Sequence, residues 1–353
     1  MDSPVVGKTE IYLPFRDDKK LLKQVLFTVA YYNVLGYYPT SFFIWKNLID
    51  MKWSGEASSL LEILNIIDKL KSRNKLSEKN GLYEIVKTCL QERQGRKSVM
   101  SKVANYKKNI HQEYTYKQQI QKNKISTEKI KKARKWVRLS RWLPYLRGIF
   151  LTGTLAMKRG GINSDWDALV VLKKNRIWLG RLIITTWFHL IGKRRYNKKV
   201  QDRFCLNQFI ANKELKFKEN NEFLANELLV AEELLGNDRL KSKIIQKNKK
   251  WIKALKPNFK FRKNIKTKHT NRKNNFSKTI QKKLENILEV LMFAEMVNAI
   301  SKKIMIKKIV DNPKTYALGA DIRYSDFFLV FLPRPQRNRI KEEVFRELTK
   351  MNS

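Results

Sequence analysis

Two short apolar runs, Gly148–Met157 (GIFLTGTLAM) and Asn163–Leu172 (NSDWDALVVL), constrain this chain more than any other feature. The first reads as a short buried strand through Ile149, Phe150 and Leu151 that breaks at Thr152-Gly153-Thr154. The second starts polar, carries Asp165-Trp166-Asp167, and ends as a second buried strand. Side chains at i and i+2 of a strand point to one face, so the two carboxylates are expected to converge. Two like charges held that close are costly unless a cation neutralises them, which predicts a divalent-metal site. Mg²⁺ (or Mn²⁺) is the expected ion, because it favours carboxylates shared with phosphate oxygens. Glycine at position 153 would let the backbone approach a triphosphate, and the Thr154 hydroxyl and nearby amides could hold its oxygens.

Gly153-Thr154, ten intervening residues and Asp165-Trp166-Asp167, with apolar flanks on both halves, resemble the signature of the DNA polymerase β-like nucleotidyltransferase superfamily. That signature is a strand ending in Gly-Ser or Gly-Gly, a comparable gap, then Asp-x-Asp or Asp-x-Glu on the next strand. Thr154 replaces the usual serine and keeps a hydroxyl, and Ser164 before the first acid is also common in the superfamily. The order of parts resembles a group of bacterial proteins in which a winged helix precedes a nucleotidyltransferase domain and a helical tail follows. The strings SDWDALVVLKKNRIWLGRLI, FCLNQFI and ELLVAEELLG look like its landmarks, and the likeness runs over about residues 21–255.

The resemblance implies a Mg²⁺-dependent enzyme that moves a nucleoside monophosphate from a nucleoside triphosphate to an acceptor hydroxyl, releasing pyrophosphate. Asp165 and Asp167 would be catalytic and hold the metal. Gly153 and Thr154 would cradle the triphosphate, with Ser164 supporting the turn. Lys158 and Arg159, with Lys173, Lys174 and Arg176, flank the acids and could bind substrate phosphates, a solvated basic loop being the alternative. The superfamily usually supplies a third carboxylate from a later strand. In QDRFCLNQFI the matching position holds Asn207, a neutral and weaker ligand; Asp202 at the strand start could substitute, a solvated loop residue being the favoured reading. A second reading follows: a non-catalytic nucleic-acid-binding or regulatory protein on a degenerate nucleotidyltransferase scaffold.

The rest of the chain predicts an α+β protein in six parts. After an N-terminal tail (1–20), residues 21–91 resemble a winged helix-turn-helix. A helix over 21–35 ends at Gly36, and a second starts at Pro39 with Thr40 or Ser41 as its cap. A third spans about 57–72, with Leu60, Leu61, Leu64, Ile67 and Leu70 in helical spacing. Asn80-Gly81 then signals a two-residue hairpin turn. Glu56, Glu62 and Asp68 on the third helix would repel phosphates, so a scaffold role is favoured over base reading. Connecting helices fill 92–140. The nucleotidyltransferase domain, with a short mixed sheet, fills 141–257: a helix over 178–191, a third strand over 204–210, and helices over 221–235 and 240–255. A basic flexible linker follows at 258–278, then a C-terminal helical region at 279–353. There, 279–310 reads as one amphipathic helix that would pack on the domain or on a second copy, 324–333 is a short apolar segment, and a final helix closes the chain.

The chain has 353 residues, a formal net charge of +43 and 42% apolar residues, enough to exclude wholesale disorder. Such a charge draws polyanions in a salt-dependent way, so an RNA or DNA backbone is an expected partner of the basic surface. Part of it reflects Lys, Asn and Ile enrichment of the kind an A/T-rich coding sequence produces. Cys89 and Cys205 allow neither a disulfide framework nor a four-cysteine zinc site, and Cys205 is expected to be a small core residue. His111, His189 and His269 lack ligand spacing, and His189 is expected to be packed in its helix. The most apolar stretch, Ile177–Gly192, is broken by Arg181 and His189, so no membrane partner is expected. Met1–Lys23 lacks the apolar core of a secretion signal, and a cytoplasmic location is expected.

Overall fold

The structure, a computed structural model, describes residues 18–86, 99–236, 239–260, 275–290, 293–333 and 335–350. It is a mixed α+β protein with eleven helices and eight strands among the described residues. The expected N-terminal tail lies outside them up to residue 17, since helix α1 already begins at Asp18. Most of the expected basic linker also lies outside them.

Helices α1 (Asp18–Val34), α2 (Ser41–Lys46) and α3 (Leu60–Ser72) are followed by a hairpin of β1 (Leu76–Lys79) and β2 (Leu82–Ile85). Local chemistry fixes each boundary. The Thr40 hydroxyl accepts from the Phe43 N–H at 3.2 Å to start α2. Ser59 and Glu62 form a reciprocal capping box on α3, so Glu62 is engaged at the helix start. Asn80 and Gly81 have φ of 52° and 72°, as a hairpin turn of this twist requires.

The 40-residue helix α4 (Val99–Arg138) then leads into a six-stranded sheet. Its strands are β3 (Leu146–Leu151), β4 (Trp166–Leu172), β5 (Phe204–Ala211), β6 (Glu232–Leu235), β7 (Asp321–Tyr324) and β8 (Phe328–Leu332), ordered β6-β3-β4-β5-β8-β7. Only β4 and β5 pair in parallel; the other pairs are antiparallel. A single-turn helix α5 (Gly153–Ala156) joins β3 to the loop before β4, and α6 (Ile177–Leu190) crosses over from β4 to β5. Helices α7 (Glu222–Val230), α8 (Leu240–Leu255), α9 (Asn275–Val290), α10 (Phe293–Val310) and α11 (Gln336–Lys350) complete the fold.

The period-two alternation of β3 and β4 feeds two cores. Phe150, Leu169 and Val171 face α8 and the N-terminal helices, in one continuous cluster with Val25, Ile44, Ile67 and Ile252. Ile149, Leu151, Ala168 and Val170 face the other way, against Ile130 and Val137 of α4, Trp178 and Phe188 of α6, and Ile309 of α10.

Four expectations from sequence are corrected. The segment 221–235 is not one helix: α7 stops at Val230, and Glu232–Leu235 pairs with β3. An unpaired strand edge is a stronger demand than the local helical pattern of four residues. The C-terminal region is not wholly helical, because β7 and β8 form a hairpin that pairs with the open edge of β5. The segment 279–310 comprises two helices, α9 and α10, separated by residues outside the described set. His189 is exposed near the end of α6, its ring 5.4 Å from that of Tyr196. No helix among the described residues is long and apolar enough to cross a membrane.

The N-terminal helices and the sheet are stitched together by buried polar contacts. Lys256, directly after α8, is fully buried; its Nζ donates to Tyr32 Oη at 3.1 Å and to the Asn47 carbonyl at 3.0 Å. Asn258 accepts from the Ser58 N–H at 2.8 Å and donates to the Trp45 carbonyl at 2.8 Å. Burial lowers the Lys256 pKa from its ordinary 10.5 to about 7, with Glu222 opposing the shift. Between those two values the unfolded chain binds more protons at this residue, so its contribution to stability grows as pH rises. Urea denaturation at pH 7 and pH 9 checks this: the wild-type midpoint should gain on that of K256M at the higher pH. An equal gap at both values would mean that Lys256 is charged in the folded state.

Candidate functional site

The site forms where β3 ends beside the start of β4. The Thr152 N–H donates to the Asp167 carbonyl at 2.9 Å, holding the two chain segments together. Gly153 follows with φ of +66°, and a Cβ there would lie 2.4 Å from Oδ2 of Asp167. Glycine is therefore demanded twice, by the backbone angle and by the carboxylate against it. Asp165 immediately precedes β4 and Asp167 is the second residue of that strand. In the parallel β4–β5 pair Asp167 stands in register with Cys205. One ligand atom from each of Asp165, Asp167 and Cys205 lies within 4.8 Å of the others.

Cys205 is thus not a core residue; it faces the acid pair. Burial first, then the nearby Asp167 and Asp165 charges, push its thiol up to about 12. Asn207 does reach the site, but its Nδ2 donates to Asp167 Oδ1 at 3.2 Å, so in this arrangement the amide is a donor to the carboxylate. Burial and the neighbouring Asp165 hold the Asp167 carboxyl well above the usual carboxylate range, with Arg195 opposing them.

Arg195 comes from the turn after α6. That turn runs beside the start of β5: the Phe204 N–H donates to the Lys193 carbonyl at 2.7 Å, and the Arg195 N–H donates to the Phe204 carbonyl at 2.9 Å. This pairing aims the guanidinium at the acids. Its Nη1 lies 2.5 Å from Asp165 Oδ2 and 3.7 Å from Cys205 Sγ.

The acids open into a groove of about 1740 Å³. Gly153, Thr154, Arg181, Arg194, Lys216, Lys218, Lys308 and Lys314 also line it. Arg194, Lys216, Lys218, Lys308 and Lys314 have no ion pair among the described residues, whereas Arg323 and Arg337 are neutralised by Glu219 and Asp321. Arg181 stacks 4.0 Å above the Phe331 ring, and burial lowers its pKa to about 10.

Sequence reasoning missed Glu227. It is buried on α7 and lines the same groove, where Gln208 and the Gly153 backbone favour its charged form. Burial, with a smaller push from Asp167, raises its pKa from 4.5 to about 8. The available signal was one acid inside the apolar run FLANELLV. Next to it, Asn226 accepts from Tyr32 Oη at 2.8 Å, which ties α7 to α1.

Other sequence-selected residues lie elsewhere. Lys158 is not at the groove; its Nζ is 3.8 Å from Glu232 on β6. Arg159 is also directed away, to Met157 Sδ at 3.3 Å and toward Tyr31 and Tyr32, and burial lowers its pKa to about 10. Lys173 and Arg176 pair with Glu289 of α9 at 3.1 and 2.5 Å. Ser164 sits in the turn before β4, where its Oγ accepts from the Gly161 N–H at 2.9 Å. Asp202 pairs with Lys129 at 2.8 Å, so it supplies no third acid to the groove. His269 and Cys89 lie outside the described residues, and so does the side chain of His111.

Two carboxylates opening on a basic groove fit a divalent cation that also touches phosphate. Among the described His, Cys, Asp and Glu side chains, the third ligand within reach is the Cys205 sulfur. No known protein family matches the chain, and comparison with curated proteins and with solved structures also finds no similar chain.

Replacing Gly153 with alanine should destabilise the fold by about 1–3 kcal/mol, the scale of a strained backbone position, measured by urea denaturation; an unchanged midpoint would mean that Asp167 is free to move aside. Glu227 gives a pH test. Its raised folded-state pKa means that the folded chain binds the extra proton between about pH 4.5 and 8. Stability from this residue is therefore present at low pH and lost as pH rises through about 8. E227Q should match wild type near pH 5 and exceed it near pH 8.5 in the same assay. A constant offset would show that Glu227 is already ionised when folded.

Proposed function

We propose that this chain is a nucleotidyltransferase that moves a nucleoside monophosphate from a nucleoside triphosphate to an acceptor hydroxyl. The observation that carries the reading is Gly153, at the end of a buried strand, packed against an acid pair that opens into a basic groove. On this reading 141–257 is a nucleotidyltransferase domain and 21–91 a winged helix serving as a brace. Asp165 and Asp167 would hold the divalent cation, which when bound polarises the phosphoryl oxygens and eases ionisation of the acceptor hydroxyl. Thr154 at the strand end, and Arg194 and Lys216 across the groove, would meet the triphosphate oxygens. The acceptor oxygen forms the new bond to the α-phosphorus as the bond to the β-phosphate oxygen breaks. Pyrophosphate leaves into the basic groove and the hydroxyl proton passes to water. The unpaired lysines also suit an RNA or DNA backbone.

A second reading has its own support. No acid on β5 faces Asp167, where Cys205 and Asn207 stand, and Arg195 already neutralises Asp165. This favours a protein that binds nucleotide or nucleic acid without transfer.

Labelled nucleoside triphosphates, offered with RNA, protein and small-molecule acceptors and a divalent cation, separate the two. The enzyme reading expects transfer by wild type and a loss of about 100-fold or more in D165N and D167N, since the cation supplies several kcal/mol to the transition state. Absence of transfer, with D165N leaving nucleotide affinity unchanged, would sink the enzyme reading. Salt-dependent nucleic-acid binding without transfer would establish the second.

A further inference from the structure

The donor set at the acid pair points to a particular class of cation. Mg²⁺ demands near-octahedral oxygen coordination, and thiolate is a poor partner for it. Yet the atom that completes the cluster is Cys205 Sγ, which stands in register with Asp167 and within 4.8 Å of both carboxylates. Asn207 donates through its Nδ2 to Asp167, and its neutral amide oxygen is a weaker ligand than a thiolate for a zinc-class cation. A second observation comes from a different element. The guanidinium of Arg195 contacts Asp165 and Cys205 together, so a positive charge already lies against both groups. The Arg195 side chain is 42% exposed at the groove edge.

We infer that this site takes a zinc-class cation (Zn²⁺, Co²⁺ or Cd²⁺), held by Asp165, Asp167 and the thiolate of Cys205, with a fourth position open to water or phosphate. The inference rests on the acid pair being a metal site, as the proposed function has it. Three protein ligands and one open position is the usual arrangement of a catalytic zinc ion. With metal–ligand bonds of about 2.0–2.3 Å, tetrahedral donors stand roughly 3.5 Å apart, so donors at the 4.8 Å limit of the cluster would close by about 1.3 Å. Binding releases the thiol proton to solvent and displaces the Arg195 guanidinium from Asp165. That guanidinium is then free to meet a phosphate in the groove.

The test is a titration of the full chain with Co²⁺, followed by competition with Zn²⁺ and Mg²⁺ in a calorimeter. Wild type and C89S should show the near-ultraviolet thiolate-to-cobalt charge-transfer band, and Zn²⁺ should displace Co²⁺ while Mg²⁺ does not. C205S and C205A should lose the band and bind Zn²⁺ at least about 10-fold more weakly, because even outer-shell partners of metal ligands cost 10–100-fold. The wild-type spectrum requires no variant to fold. If the band is absent and Mg²⁺ binds equally well to wild type and C205S but not to D165N, the thiolate inference falls and the acid-pair reading stands. If neither wild type nor R195A binds any divalent ion, both fall.

Discussion

One enclosed carboxylate sets the terms for the rest of this molecule. Asp167 is pinned by Gly153 on one side and Asn207 on another, with a second carboxylate, Asp165, beside it. A charge pair in such a place is tolerated only if protons or cations offset it. Arg195 offsets Asp165 here, and that contact is exchangeable. The Asp167 carboxyl is biased toward its neutral form, and Arg195 reaches in from a partly exposed position. The site is therefore built to accept positive charge without being permanently saturated by it.

Holding that arrangement requires rigidity on every side of the acids. Strand β4 lies in the middle of the sheet, between an antiparallel neighbour and a parallel one, so Asp167 cannot shift without breaking two ladders. Helix α7 brings Glu227 against Gly153, and α7 is anchored in turn to α1 through Asn226 and Tyr32. Lys256 joins the same tyrosine to α2 and α8. Buried polar links of this kind contribute little net stability, but they fix one geometry because each is expensive to leave unmade. The N-terminal helices thus belong to the same packed core as the face of the sheet beneath the site.

The groove shows the opposite economy. Arg194 and its unpaired lysines come from the turn after α6, the segment after β5, the end of α10 and the stretch before β7, far apart in sequence. Individually each resembles any other lysine in a chain of net charge +43. Together they make a cationic wall facing an acidic floor, the charge arrangement that a metal–phosphate ligand requires.

Periodicity and turn chemistry made much of the local structure legible. The β1–β2 turn at Asn80-Gly81, the start of α2, the buried strands β3 and β4, and the convergence of Asp165 with Asp167 all depend on forces acting within a few residues. Cys205, Glu227 and Arg195 were not readable as site residues, because a thiol, an acid in an apolar helix and an arginine in a basic run acquire meaning only from what packs opposite them. The same reason explains Lys158 and Arg159, close to the acids in sequence yet turned toward Glu232 and the α1 tyrosines. Strand β6 formed against a local helical signal, and the β7–β8 hairpin formed in a segment without one, because open sheet edges needed partners. The amino-acid order alone determined where carboxylates and glycine would meet. Only long-range packing decided which third group would join them, since register between distant strands is set by burial of whole faces and not by any short stretch of chain.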